Sequence, residues 1–311
     1  MRTAVQYFLL LLLMIPDAHA SADFAIQPEW IATIGPAWSG DAAPFRAPRG
    51  VGVSLDGRVF IADFGNQRVV SLDSLGTGGE ELGYAGSGEG RFINPADVAT
   101  EGRSLYVLDE GNERVQIFDR HGVFSEVLLS REAGTIGIPN RLAVDLFGRL
   151  YVSDIEEDVV RVFRSYAGEP EFTIGGYGTE DGLFVSPGEI TIDRDRNIYV
   201  CDRGNARVQK FDALGGWLLT IDDEGPGALR APSAIAVDRR GRIHVADGAG
   251  GRVAIFERDG SYCGEIANGP EGTPLLDPQG LAFGPTGILY LVESGRNRVL
   301  LLRTPADLDV R

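Results

Sequence analysis

The stretch Leu105-Tyr106-Val107-Leu108-Asp109-Glu110-Gly111-Asn112-Glu113-Arg114-Val115-Gln116-Ile117-Phe118-Asp119 decides the fold, because the chain rewrites it six times. In each copy an apolar run ends on an acid, a short polar loop follows, and a second apolar run begins. The acids are Asp63, Asp109, Asp154, Asp202, Asp247 and Glu293. A proline opens each copy, at Pro48, Pro95, Pro139, Pro187, Pro232 and Pro278, so the unit recurs every 44 to 48 residues. Two ladders with one period in the forties predict a closed or stacked array of one repeated motif.

Inside a unit the pattern is four short strands separated by turn signals. In the second copy the strands are expected over 97–100, 105–108, 114–118 and 123–129. Asp56-Gly57, Gly122, Phe147-Gly148, Arg240-Gly241 and Asp259-Gly260 put glycine where a tight turn needs a positive φ. No segment holds a helical period over eleven residues. The expected fold is therefore all-β: a six-bladed propeller of four-stranded antiparallel blades. The first strands alternate branched residues (Val51, Val98, Leu142, Ile190, Ile235, Leu281) with small ones (Gly52, Ala99, Ala143, Thr191, Ala236, Ala282). Small side chains suit the crowded axis, and branched ones suit the space between blades.

The two ends complete each other. The last copy stops after its third strand, residues 298–303, whereas Trp30-Ile31-Ala32-Thr33-Ile34-Gly35 looks like the fourth strands at Phe172-Thr173-Ile174-Gly175 and Trp217-Leu218-Leu219-Thr220-Ile221. Trp30 to Gly35 is thus expected to complete the last blade, closing the ring and covering its edges.

With Asp-x-Gly-Asn-x-Arg-Val after an apolar strand, the chain resembles the NHL-repeat family over about residues 24 to 303. The motif is complete at Asp63 to Val69, Asp109 to Val115 and Asp202 to Val208. The third copy departs, with Glu157 and Val159 in place of Asn and Arg; the fifth has Gly250 for Asn; the sixth reads Glu293-Ser294-Gly295-Arg296-Asn297-Arg298. The resemblance implies a six-bladed propeller. Its functions range over scaffolds for protein or RNA contact, extracellular sensors and a minority of enzymes, so the family leaves function open.

Residues 1–20 read as an export signal: Arg2, an unbroken apolar run from Phe8 to Ile15, and Ala18-His19-Ala20 as a cleavage site. The run is shorter than the ~20 residues a membrane span needs, so no stable membrane insertion is expected. Residues 21–311 form one domain, in the periplasm or outside the cell; the oligomeric state is left open. The formal net charge of −16 argues against nucleic acid as a partner, which calls for a basic footprint. Lys210 is the single lysine, and every other cation is the planar, bidentate arginine. Cys201 and Cys263 permit one disulfide in an exported protein, against two separate thiols, since Cα atoms more than about 7 Å apart cannot be bridged.

Candidate chemistry is sparse. The repeated acids and the arginines five residues on, Asp63 with Arg68, Asp109 with Arg114, Asp202 with Arg207 and Asp247 with Arg252, read as structural pairs rather than a ring of cation ligands. The histidines are His19, His121 and His244. His19 falls in the signal and His121 in a hairpin, which leaves too few for the three-histidine zinc site that the amidating lyases of similar fold imply. His244 stands where other copies place Phe60, Tyr106, Tyr151, Tyr199 and Tyr290, an aromatic core position. No histidine is available to relay a proton to a nucleophile. Asp222-Asp223-Glu224 and Glu156-Glu157-Asp158 read as solvated acidic loops. The glycine-rich run Gly83 to Gly90 precedes no helix and is a link between blades, not a phosphate cradle.

The copies disagree just after the opening proline: Arg49, Asp97, Asn140 with Arg141, and Glu189 differ from blade to blade at the expected mouth of the channel. These five are the candidate ligand-binding residues, with an internal salt bridge of Arg141 to Asp97 or Glu189 as the competing reading. The function expected is a non-enzymatic binding module for a protein, peptide or glycan, with no cofactor. The alternative is a metal-dependent hydrolase or lyase of the lactonase and gluconolactonase type, in which Asp97, Asn140 and Glu189 would hold calcium.

Overall fold

The computed structural model describes residues 25–35, 43–164, 168–222 and 225–305. The export signal expected over residues 1–20 lies outside them, as do Asp223 and Glu224. Six four-stranded antiparallel sheets are arranged as six blades. Their inner strands, Val51–Val53, Pro95–Glu101, Pro139–Val144, Pro187–Ile192, Pro232–Val237 and Pro278–Phe283, surround the axis. Blade 2 illustrates the rest of the unit: Ser104–Asp109, Arg114–Asp119 and Phe124–Ser130 follow in order outward.

The ring closes as the sequence leads one to expect. Glu29–Ile34 pairs antiparallel with Arg298–Arg303, from Glu29 opposite Arg303 to Ile34 opposite Val299, so blade 6 takes its outer strand from the other end of the chain. Closure hides the edge that Arg298–Arg303 would otherwise present. Among the described residues no helix is long and apolar enough to cross a membrane.

The core is six wedges between neighbouring blades. In one, Val59, Ile61 and Val70 of blade 1 pack on Tyr290, Val292 and Val299 of blade 6; in another, Leu108 and Val115 of blade 2 meet Leu142 and Val152 of blade 3. The branched residues of the inner strands are buried in these wedges, and the small ones lie on the opposite face, Ala143 and Ala236 within neighbouring wedges and Ala99 and Ala282 packed against them. Crowding at the axis is direct: a Cβ added at Gly52 would stand 2.8 Å from the carbonyl oxygen of Val98 on the next blade. The turn glycines bear out their role, with φ of 87° at Gly57, 78° at Gly148, 86° at Gly241 and 89° at Gly260. The cysteines are separate thiols, Cys201 buried and Cys263 half-buried.

Five inner strands begin irregularly, with register shifts between Pro95 and Asp97, Pro139 and Arg141, Pro187 and Ile190, Pro232 and Ala234, and Pro278 and Gly280. Proline has no N–H for the ladder, and a bulge is where the sheet can accommodate it. The bulge re-aims the residues that follow, which places Asp97, Arg141 and Glu189 where the copies differ.

Candidate functional site

The repeated acid and arginine are construction. Asp109 Oδ1 accepts the Ile93 amide at 2.7 Å; its Oδ2 accepts Asn112 Nδ2 at 2.7 Å, Arg114 Nε at 2.8 Å and Gln116 Nε2 at 3.1 Å. Arg114 Nη2 then donates to the carbonyls of Gly88 and Arg91. Asp202 repeats the arrangement with Val185, Asn205, Arg207 and Gln209. Each cluster ties the top of a blade to the segment arriving from the previous one, and the loop between turns on a residue in the left-handed region, Glu113 or Ala206. Burial pushes the Asp109 carboxyl up, and the donors around it pull the other way.

The third copy keeps this chemistry by another route. Where Val159 replaces the expected arginine, Arg161 reaches Asp154 Oδ2 at 3.0 Å from the strand position that Gln116 fills in blade 2. His244 is core, as its position implies: it is fully buried, packs edge-on to Phe283 with centroids 5.0 Å apart, and sets Nε2 3.6 Å from Asp238 Oδ2. In blades 3 and 4 the phenol hydroxyls of Tyr151 and Tyr199 donate to the corresponding turn acids, Asp145 and Asp193.

The divergent residues gather at one mouth of the channel. Asp97 is 2% exposed and Arg141 5% exposed, so these two form the floor of the mouth rather than its rim. Arg141 Nε lies 3.3 Å from Glu189 Oε2. Asp97 spends both oxygens on backbone amides, Val98 at 2.8 Å and Leu142 at 2.9 Å, the second reaching from blade 2 to blade 3. Asn140 Nδ2 donates to the Pro187 carbonyl of blade 4, and Arg141 Nη1 donates to the Asn140 carbonyl at 2.7 Å. Three consecutive blades are thus stitched by the residues expected to differ. Arg49 stands nearer the surface on blade 1, donating to Glu110 Oε2 at 2.7 Å with its guanidinium 3.5 Å from the Phe64 ring centre.

Two carboxyls here lie beside one guanidinium, Asp97 buried and Glu189 at the border of the channel. Burial raises Asp97 to about 6, against the pull of Arg141. Glu189 is raised well above its ordinary value by burial and by the charge of Asp97. With one cation for two acids, the charged form of each carboxyl is disfavoured, and that of Glu189 the more so because Asp97 faces two amide donors. Burial, with like charge from Arg141, lowers the Arg49 guanidinium from its ordinary value, while Glu110 raises it. Cys201, near Glu189, is driven well up by burial and is no nucleophile.

A calcium ion does not fit these donors. Asp97 is committed to amides, Glu189 to Arg141, and a fixed guanidinium beside both acids would repel a cation. Among the described residues no group of three or more His, Cys, Asp or Glu is arranged to hold a metal ion.

The opposite mouth, which the sequence reading did not single out, is built by the hairpins between first and second strands. It holds a cavity of about 350 Å³, lined by turns of blades 1, 3, 4, 5 and 6 and continuous with the channel through Val53, Val144, Ile192, Val237 and Phe283.

The NHL-repeat family model matches residues 184–211, the whole of the first three strands of blade 4. The chain is 34% identical over 101 residues to NHL repeat-containing protein 3 of Mus musculus, a stretch covering 30% of this chain and 28% of that protein. A gluconolactonase from Xanthomonas campestris superposes with a TM-score of 0.66 at 19% identity, covering 91% of this chain and 96% of that one. A chain from a nidogen–laminin complex superposes with a TM-score of 0.61 at 16% identity, covering 76% and 85%. At such identities the two structures speak for the fold alone. With the repeat matched in one blade and its acid ladder present in all six, the chain is a six-bladed β-propeller that carries an NHL repeat and is similar to NHL repeat-containing proteins.

Proposed function

We propose that the chain acts, after export to the periplasm or beyond the cell, as a non-enzymatic module that binds a protein, peptide or glycan at the mouth bearing Arg49. The observation that supports this most is the division of labour at that mouth. Asp97, Arg141 and Glu189 are held rigid below, while Arg49, laid on Phe64 and braced by Glu110, presents a planar cation and an aromatic face at the rim. Asn140, half-buried beside them, adds an amide whose orientation the Pro187 carbonyl fixes. Such a platform recognises by hydrogen bonds and stacking. It lacks a histidine base, and its acids are engaged with amides or arginine.

The metal-dependent hydrolase reading has a gluconolactonase of like fold on its side, yet the donor set opposes a cation. Metal analysis of the purified protein separates the two readings: stoichiometric calcium at this mouth would displace the binding-module proposal.

The direct test is recovery of partners from the native envelope or medium on immobilised mature chain, beside Arg49→Ala and Asn140→Ala. The proposal expects a partner retained by the wild type and lost, tenfold or more, from either variant. No specific partner, or one indifferent to both variants, would refute it. Arg141→Ala assigns the deeper residue: a lowered melting temperature with unchanged affinity would make Arg141 scaffold only.

A further inference from the structure

The mouth opposite Arg49 differs from the rest of this acidic surface. Its rim carries Leu55, Leu146 and Phe147, at 73%, 70% and 72% exposure among the most exposed large apolar residues of the described chain. The acids that line it, Asp145, Asp193 and Asp238, are turned inward: each uses Oδ1 to accept two amides of its own hairpin, and their Oδ2 atoms are engaged by Tyr151, by Tyr199 with Asn197, and by Arg242. Of the arginines on the same turns, Arg242 is consumed in this way but Arg194 and Arg196 are not. Arg194 is exposed and makes no hydrogen bond or ion pair among the described residues, and Arg239 donates to the carbonyl of Pro285. Arg196 lies with its guanidinium 5.0 Å from the centre of the Phe147 ring, and its Nε is buried with no hydrogen-bond partner.

Arg196 also occupies a position that elsewhere belongs to glycine. In blades 1, 3, 5 and 6 the residue whose amide closes this hairpin is Gly57, Gly148, Gly241 or Gly287, with φ of 87°, 78°, 86° and 81°. Blade 4 makes the same bond from the Arg196 amide to the Asp193 carbonyl, with φ at 68°. A long side chain in the left-handed region is strained, and such strain persists where a side chain is needed. Here it sets a guanidinium at the entrance of a cavity of mixed polar and apolar lining.

We propose that this mouth is a second ligand site, for a small amphipathic carboxylate with a linear apolar tail. The carboxylate would pair with Arg196 and its neighbour Arg194, and the planar fork of arginine matches its geometry. The tail enters between Leu55, Leu146 and Phe147 and lies in the mouth cavity against Val53, Val144, Ile192, Val237 and Phe283. A cavity of about 350 Å³ is in the range that small-molecule sites occupy. The charge of the free groups selects an anion, and the apolar side chains among the lining select a tail over a compact oxyanion.

Titration calorimetry of the mature chain with decanoate tests this, with butyrate and decylammonium as probes of tail and charge. The expected result is saturable one-to-one binding of decanoate, at least tenfold tighter than of either control. Arg196→Gly restores the residue type of the other hairpins, so it should keep or raise the melting temperature while weakening decanoate at least tenfold. Arg194→Gln, at an exposed position, should weaken it severalfold, and Arg49→Ala at the other mouth should leave it unchanged. Equal binding of decylammonium, wild-type affinity in Arg196→Gly, or association with lipid vesicles but not with monomeric decanoate would overturn the proposal.

Discussion

Two groups of buried acids and arginines, about one strand apart, are chemically alike and physically opposite. Around Asp109, a single carboxylate receives Arg114, Asn112, Gln116 and a backbone amide, so charge and hydrogen-bonding capacity are matched. Around Arg141, two carboxyls compete for one guanidinium, and burial raises both pKa values. The first arrangement recurs around the ring because each blade needs it. The second occurs once, and an arrangement that no blade requires is the better place to look for function.

Closure of the ring is the background against which that contrast stands. Removing residues 21–35 takes away Glu29–Ile34, bares the edge of Arg298–Arg303 and uncovers two wedges, one that Ile34 and Ile31 help to fill and one that Trp30 covers. At about 1.5–3 kcal/mol for each large apolar side chain fully buried, the loss is on the order of 5 kcal/mol. Chemical denaturation of the truncated chain should show it, and an unchanged midpoint would mean that blade 6 stands with three strands.

Next in size is the breaking of a matched cluster. Asp109→Ala leaves Arg114 and Gln116 facing a gap in a buried site, for which removal of one ionic partner costs about 3–5 kcal/mol. Asp97→Ala, by contrast, removes an acid from a site with one acid too many, so its loss should be smaller. If the two variants were equally unstable, the distinction between matched and mismatched clusters would fail.

The blades, the closing strand and the branched and small faces of the inner strands were legible in the sequence because each is a local period repeated six times. Arg161 was not, because the motif looks for arginine at residue 159, whereas the sheet places the residue two further on against the same carboxylate. The Arg49 mouth was half legible: divergence after the prolines identified the residues and offered Glu189 as one of two salt-bridge partners for Arg141, but not that Asp97 would be tied to the Leu142 amide, since that bond reaches from one blade to the next. The other mouth left a trace that was passed over. Arg196 breaks a column of turn glycines, and that kind of exception shows only when the turns are aligned as carefully as the strands.

The mismatched cluster also predicts how stability varies with pH. Asp97 titrates near 3.8 when unfolded and at about 6 when folded, so between these values the native state holds the extra proton. Stability is then full below about pH 4 and falls as pH rises through about 6, by roughly 2–3 kcal/mol at 1.36 kcal/mol per unit. Glu189 shifts in the same direction and carries the decline higher. Melting curves from pH 4 to 8 should show this slope in the wild type and a shallower one in Asp97→Asn. A wild-type stability that rises across this interval would contradict the assignment.

The smallest effect on stability, and the sharpest on the contrast, comes from Arg49→Ala. Its pairing with Glu110 has side-chain exposures of 30% and 34%, and a part-exposed pair of this kind is worth about 0–1 kcal/mol. Stacking on Phe64 adds about as much again at an exposed site. The variant should therefore melt within a few degrees of the wild type. An arginine that the scaffold hardly needs, set over an acid pair that the scaffold tolerates, fits the proposed role of the rim in binding. Were Arg49→Ala to unfold the chain as Asp109→Ala does, Arg49 would belong with the matched clusters, and the rim of this mouth would be construction as well.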